Sequence, residues 1–148
     1  MQCPRLDHFV RFNSDGSVRR CGHMVDAPGF QSLVELEASS WLASVRESMN
    51  QDQWPKECVR CQETEPDSIR QYAIRLHDST EQADYLQVGG VLDNLCNAAC
   101  QTCNEKLSTR IGSLQSRDFP VINNTERFFQ LPQERIVHLD INGGEIGR

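Results

Sequence analysis

A chain of 148 residues suits one ordinary domain or two small ones, with enough length to bury a modest core. Its formal charge of −6, from 21 acidic against 15 basic residues, gives no general field for phosphate backbones and argues against nucleic acid as a partner. Seven cysteines are an odd number for a disulfide framework, and Arg5, Asp7, Arg11, Asp15, Arg19 and Arg20 interrupt any apolar signal core. No apolar stretch approaches membrane-spanning length either, so the expectation is a soluble protein of a reducing cytoplasm without membrane contact.

Phe9 to Phe12 and Ser17 to Arg20 read as two short strands joined by Asn13-Ser14-Asp15-Gly16, because glycine supplies the positive φ such turns require. Arg11, Arg19 and Arg20, interleaved with Asp15, read as a solvated face. Cys3 then precedes the first strand and Cys21 closes the second, so a hairpin would bring these two together. After Pro28-Gly29, the apolar spacing of Leu33, Val34, Leu36, Trp41, Leu42, Val45 and Met49 predicts one helix over 31–50, with Trp41 and Met49 in the core. Pro55 ends that pattern, and Cys58-Val59-Arg60-Cys61 is expected in a loop. The polar stretch 62–84 carries a helix from Ser68 to His77 and a connector to Asp84, which sets a boundary near residue 80 and divides the chain into 1–80 and 81–148. Tyr85 to Leu92 reads as a buried strand, with Gly89-Gly90 marking a bulge or a close backbone approach. Cys96 begins the loop at its carboxyl end. Helices over 105–114 and 124–129 and a strand over 135–141 complete a β-α-β unit with an extra helical segment.

Cys96, Cys100 and Cys103 form a C-x3-C-x2-C run that offers three thiolates to one metal centre, where a 4Fe-4S cluster normally takes four. Three local thiolates suit a cluster whose last iron is kept for another ligand. Cys3, Cys21, Cys58 and Cys61 make a complete set for a second, closed centre, which zinc could also occupy as a tetrahedral structural site. A strand that feeds a cysteine loop and then a helix is also where a parallel α/β barrel keeps its chemistry.

In this spacing the run resembles the signature of radical S-adenosylmethionine enzymes. The resemblance implies a 4Fe-4S cluster on Cys96, Cys100 and Cys103 whose open iron binds the amino and carboxylate groups of S-adenosylmethionine, and an electron that cleaves this cofactor to a carbon radical. Gly143-Gly144-Glu145 resembles the Gly-Gly-Glu-Pro that lies against the methionyl amino group after the second barrel strand, with Ile146 in place of proline. Thr102 stands where the family is commonly aromatic. Cys3, Gly16, Cys21 and Cys58-x2-Cys61 are similar to the auxiliary-cluster module called SPASM and to its shortened twitch form, which implies a second 4Fe-4S cluster; Glu65, Ser68 and Arg70 resemble residues that recur there.

The fold expectation is therefore α/β: a small α+β module of hairpin plus helix, then the first β-α-β portion of a partial TIM-like radical barrel. Because a barrel needs roughly 200 or more residues, the chain is expected to be the amino-terminal part of a longer enzyme, or a truncated product that is inactive alone. The resemblance implies an oxidoreductase chemistry started on a peptide or protein substrate, with a reducing donor such as flavodoxin or ferredoxin. Two other readings stay open, a zinc-binding structural module and a two-cluster electron carrier without catalysis. His8, His23, His77 and His138 show no paired ligand spacing and read as surface or hydrogen-bonded residues, although His23 stands close enough to Cys21 to replace a thiolate. Asp140, at the end of the second strand, could orient a loop or meet substrate.

Overall fold

Asn13 to Gly16 close the first hairpin. Gly16 takes φ +80, and the Asp15 carboxylate accepts hydrogen bonds from the Ser17 amide and hydroxyl, an aspartate turn that fixes the reversal. The computed structural model describes residues 1–117 and 119–144. The flanking strands are β1 (Phe9–Phe12) and β2 (Val18–Arg19), antiparallel with Arg11 opposite Arg19. A short helix, α1 (Arg5–His8), stands between Cys3 and β1.

The predicted single helix over 31–50 is two helices, α2 (Leu33–Glu37) and α3 (Ser40–Asn50). Serine hydroxyls decide the break. Ser32 Oγ accepts from the Glu35 amide at 3.1 Å and Ser39 Oγ from the Leu42 amide at 3.2 Å, so each starts its own helix by satisfying an orphan N–H. Met49 is buried and Trp41 packs partly buried against the same core.

The cysteine knuckle also differs from the expected loop. Pro55 leads into a 3₁₀ turn (Lys56–Cys58), where the Cys58 amide donates to the Pro55 carbonyl at 2.9 Å, and α4 (Val59–Thr64) continues from it. Proline at a helix entrance has the right φ and lacks only an N–H that would be unpaired there. The next helix, α5 (Ile69–Asp78), falls where the sequence places it, capped by the buried Ser68.

β3 (Leu86–Val91) is buried along its whole length. It pairs in parallel with β1 on one side and with β4 (Ile136–Asn142) on the other, giving a four-stranded mixed sheet of order β2-β1-β3-β4. The sheet draws strands from both sides of residue 80. Gly90 explains how β1 and β3 come so close: it takes φ +102, and a Cβ there would lie 1.9 Å from the Phe12 carbonyl oxygen. The Gly-Gly pair thus marks a close approach, while the register irregularity of β3 lies earlier, between Leu86 and Gln87. Val10, Phe12, Val18, Leu36, Leu42, Val45, Met49, Leu86 and Val88 form the core between sheet and helices.

Between β3 and β4 lie α6 (Thr109–Leu114) and α7 (Thr125–Phe129). The first starts four residues later than its apolar spacing suggests, because Ser108 accepts from the Ile111 amide and sets the cap there. The observed fold is α+β on a mixed sheet, and β3-α6-β4 is a parallel β-α-β unit. Among the described residues, no helix is long and apolar enough to cross a membrane.

Candidate metal centres

Four cysteines from three parts of the chain lie around one cavity beside the start of β1. Cys3 precedes α1, Cys21 follows β2, Cys58 ends the 3₁₀ turn and Cys61 lies in α4; together they line a cavity of about 20 Å³ closed by Leu6, Met24, Met49, Trp54 and Ile69. Cys21, Cys58 and Cys61 are each less than a tenth exposed. Their thiols feel one another. Burial first, and then the neighbouring Cys21, push Cys3 up to about 11. Burial and then Cys3, Cys21 and Cys61 push Cys58 up to about 12, and burial raises Cys61. Without a cation Cys3 and Cys58 stay protonated, whereas a bound metal would supply the positive charge that converts thiols to thiolates.

Nearby N–H and guanidinium groups oppose that rise in part. The Cys21 sulfur accepts from the His23 amide at 3.4 Å, and the backbone of Arg5 and of Arg70 draws the Cys3 and Cys61 thiols down against their burial. Arg5 lines the cavity with its guanidinium carbon 3.7 Å from the centre of the Phe9 ring, and its Nε is buried without a hydrogen-bond partner. Arg70 is otherwise engaged, donating to Glu65 at 3.0 Å and to the Gln2 carbonyl at 2.6 Å. Glu65, Ser68 and Arg70 thus form one unit that ties the start of α5 to the chain terminus beside the cysteines. His23 also lines the cavity, its imidazole held below its usual range by burial and then by Arg5, Arg60 and Arg11. Among the described residues, no three His, Cys, Asp or Glu side chains gather closely enough to hold a single metal ion. The four thiols line one cavity, and cysteine sulfur is the donor type that zinc and iron–sulfur groups both take.

The three-cysteine run lies at the opposite end of the strands. β3 runs out at Val91 and the chain passes through Asn94, which is fully buried. Its amide donates to the Pro120 carbonyl and accepts from the Ile122 amide, both at 2.8 Å. Asn124 makes a second clamp, donating to the Val91 carbonyl at 2.8 Å. Thr109 Oγ1 then accepts from the Cys96 amide at 3.2 Å, and the Arg110 amide donates to the Cys96 carbonyl at 3.1 Å. The base of the loop is therefore fixed to the first turn of α6. Cys96 and Cys103 are partly exposed and Cys100 is exposed; the Cys103 amide donates to the Cys100 carbonyl at 3.1 Å.

The end of β4 folds against that loop. The Gly144 amide donates to the Leu107 carbonyl at 3.1 Å. Gly143 and Gly144 take φ +80 and +66, and a Cβ on either would press within 3.0 Å of Asp93, so glycine is required for the approach. Glu145 and Ile146 lie outside the described residues. Asp140 is exposed on β4. His8 and His77 flank the ring of Tyr85, His8 stacked at 4.3 Å and His77 Nδ1 3.3 Å from the hydroxyl, in keeping with hydrogen-bonded roles.

Sequence reasoning missed Arg5, Asn94, Asn124 and Thr109. A lone asparagine or arginine carries no periodic signal, and only tertiary structure shows which backbone groups it meets. Compared with known proteins, the chain matches no family model, no curated protein and no solved structure.

Proposed function

We propose that this is a radical S-adenosylmethionine protein, with Cys96, Cys100 and Cys103 as the ligands of its reducing 4Fe-4S cluster and Cys3, Cys21, Cys58 and Cys61 as those of an auxiliary one. One observation carries the reading: the three-cysteine loop stands at the carboxyl end of one parallel strand, and Gly143-Gly144, at the carboxyl end of the next, packs on the same loop through the Leu107 carbonyl. Ligands of open α/β sheets bind at that edge. A cluster there would supply the electron that splits the sulfonium of S-adenosylmethionine and starts radical chemistry.

The chain's own residues do the positioning. Asn94, Asn124 and Thr109 hold the loop base; the glycines let backbone come close to a methionyl group, and Glu145 offers a carboxylate to its ammonium. The auxiliary set is supported by its four thiols around one cavity, the His23 amide on the Cys21 sulfur and the unpaired Arg5 Nε. The resemblance further supports the division into residues 1–80 and 81–148, a partial TIM-like barrel, a peptide or protein substrate, a flavodoxin or ferredoxin as donor, and a cytoplasmic setting.

Anaerobic reconstitution with iron and sulfide tests this. About eight irons per chain are expected, and added S-adenosylmethionine should change the electron paramagnetic resonance spectrum of the Cys96-Cys100-Cys103 cluster. A spectrum indifferent to the cofactor favours an electron carrier. Stoichiometric zinc with no iron retained removes the proposal.

A further inference from the structure

The two cysteine groups stand at opposite ends of the same strands. Arg11 faces Arg19 across the hairpin, which puts Cys21 across from Phe9, and Phe9 is in register with Gln87. The three-cysteine loop begins beyond Val91, about 13 Å further along β3 at the usual rise per residue, and its Leu107 carbonyl meets the Gly144 amide beyond the end of β4. The cavity of the four cysteines is closed by Leu6, Met24, Met49, Trp54 and Ile69, side chains that leave no polar group to receive a substrate except Arg5, Arg70 and His23. In parallel α/β architecture the amino-terminal edge of the strands serves stability, and the carboxyl edge serves chemistry.

We infer that the metal group of Cys3, Cys21, Cys58 and Cys61 is a folding staple that takes neither cofactor nor substrate. The inference rests on the reading that these four cysteines hold a metal. The staple joins three segments of the chain at one point of the core. Cys3 belongs to the chain terminus, Cys21 to the end of the hairpin, and Cys58 and Cys61 to a helical turn that is otherwise tied by the Val25 amide on the Glu57 carbonyl at 2.9 Å and by Trp41 Nε1 on the Glu57 carboxylate at 3.1 Å. Cys3, Cys21, Cys58 and Cys61 reach one apolar cavity from separate parts of the chain, so a metal bound there ties those parts together. Once it does, its binding free energy becomes folding free energy, because the separated segments of the unfolded chain present no preformed site.

The test uses the full chain with Cys96, Cys100 and Cys103 replaced by alanine, so that only the four-cysteine group loads, and the wild type beside it. After anaerobic loading with iron and sulfide, hydrogen exchange is followed at the amides of β1 and β2 before and after removal of the metal by a chelator. Removal should speed exchange there at least tenfold and lower the melting temperature by about 10 °C or more, and reloading should restore both. In the wild type, S-adenosylmethionine should leave the spectrum of the four-cysteine group unchanged. Unaltered exchange on metal removal, or a response of that group to the cofactor, overturns the staple while the metal site stands. Loading by zinc alone with the same protection keeps the staple and removes the iron assignment. A variant that binds neither iron nor zinc removes both.

Discussion

Burial of Cys3 and Cys58 leaves a signature in pH. Folding raises these thiols from about 9 to about 11 and about 12, so between those values the folded, metal-free chain keeps protons that the unfolded chain has lost. Stability therefore falls as pH rises through that window and is flat below it. Each thiol contributes about 1.4 kcal/mol per pH unit at most. Urea unfolding of metal-free protein should show the decline above pH 9, and protein loaded with metal, its sulfurs already ligated, should not; a metal-free protein equally stable at pH 8 and pH 10.5 would contradict the buried placement. Backbone geometry gives a second residue-scale test. Gly90→Ala places a methyl where only 1.9 Å separates it from the Phe12 oxygen, at φ +102, so β1 and β3 must part. A loss of about 3 kcal/mol or more is expected, whereas Gly16→Ala, with nothing within 4 Å, carries only the cost of its positive φ.

At the scale of elements, hydrophobic periodicity located α3, β1 and β3 to within a few residues, because each buries one face or its whole length, while α5 and β4 fall where expected with little of either buried. It failed where a single hydroxyl or proline outweighs the pattern: Ser39 splits the helix predicted over 31–50, Ser108 delays α6, and Pro55 turns the expected Cys58–Cys61 loop into the start of a helix. The cysteine pairing was legible for a different reason. A hairpin must bring its two ends together, so Cys3 and Cys21 could be joined without knowing the helices. The supports of the three-cysteine loop were not legible, since Asn94 works through residues 120 and 122, which sequence spacing does not connect. Asn94→Ala removes two hydrogen bonds, to the Pro120 carbonyl and from the Ile122 amide, and leaves that amide unpaired in the interior. A cost of about 1–3 kcal/mol follows. Iron on Cys96, Cys100 and Cys103 should fall while the four-cysteine group loads normally; equal loss from both groups would show that Asn94 supports the whole fold and not the loop.

On the scale of the molecule, the sheet crosses the division at residue 80. β1 has only the two-residue β2 as a partner before that point, and its other edge is covered by β3 from the second part. Val10, Phe12, Leu86 and Val88 are each less than 4% exposed and share one core cluster. Residues 1–80 expressed alone would open that edge and uncover the faces of Val10 and Phe12 that meet β3, leaving a two-stranded ribbon that depends on its helices alone for cover. The expected result for 1–80 is loss of the dispersed amide spectrum of the full chain and binding of an apolar dye, in the metal-free state. Metal at Cys3, Cys21, Cys58 and Cys61 should restore part of the order, since all four ligands remain, but the β1 amides should stay unprotected because their partners on β3 are gone. A metal-loaded 1–80 with β1 as protected as in the full chain would establish the first part as an independent domain, and would mean that the β1–β3 pairing joins two finished units.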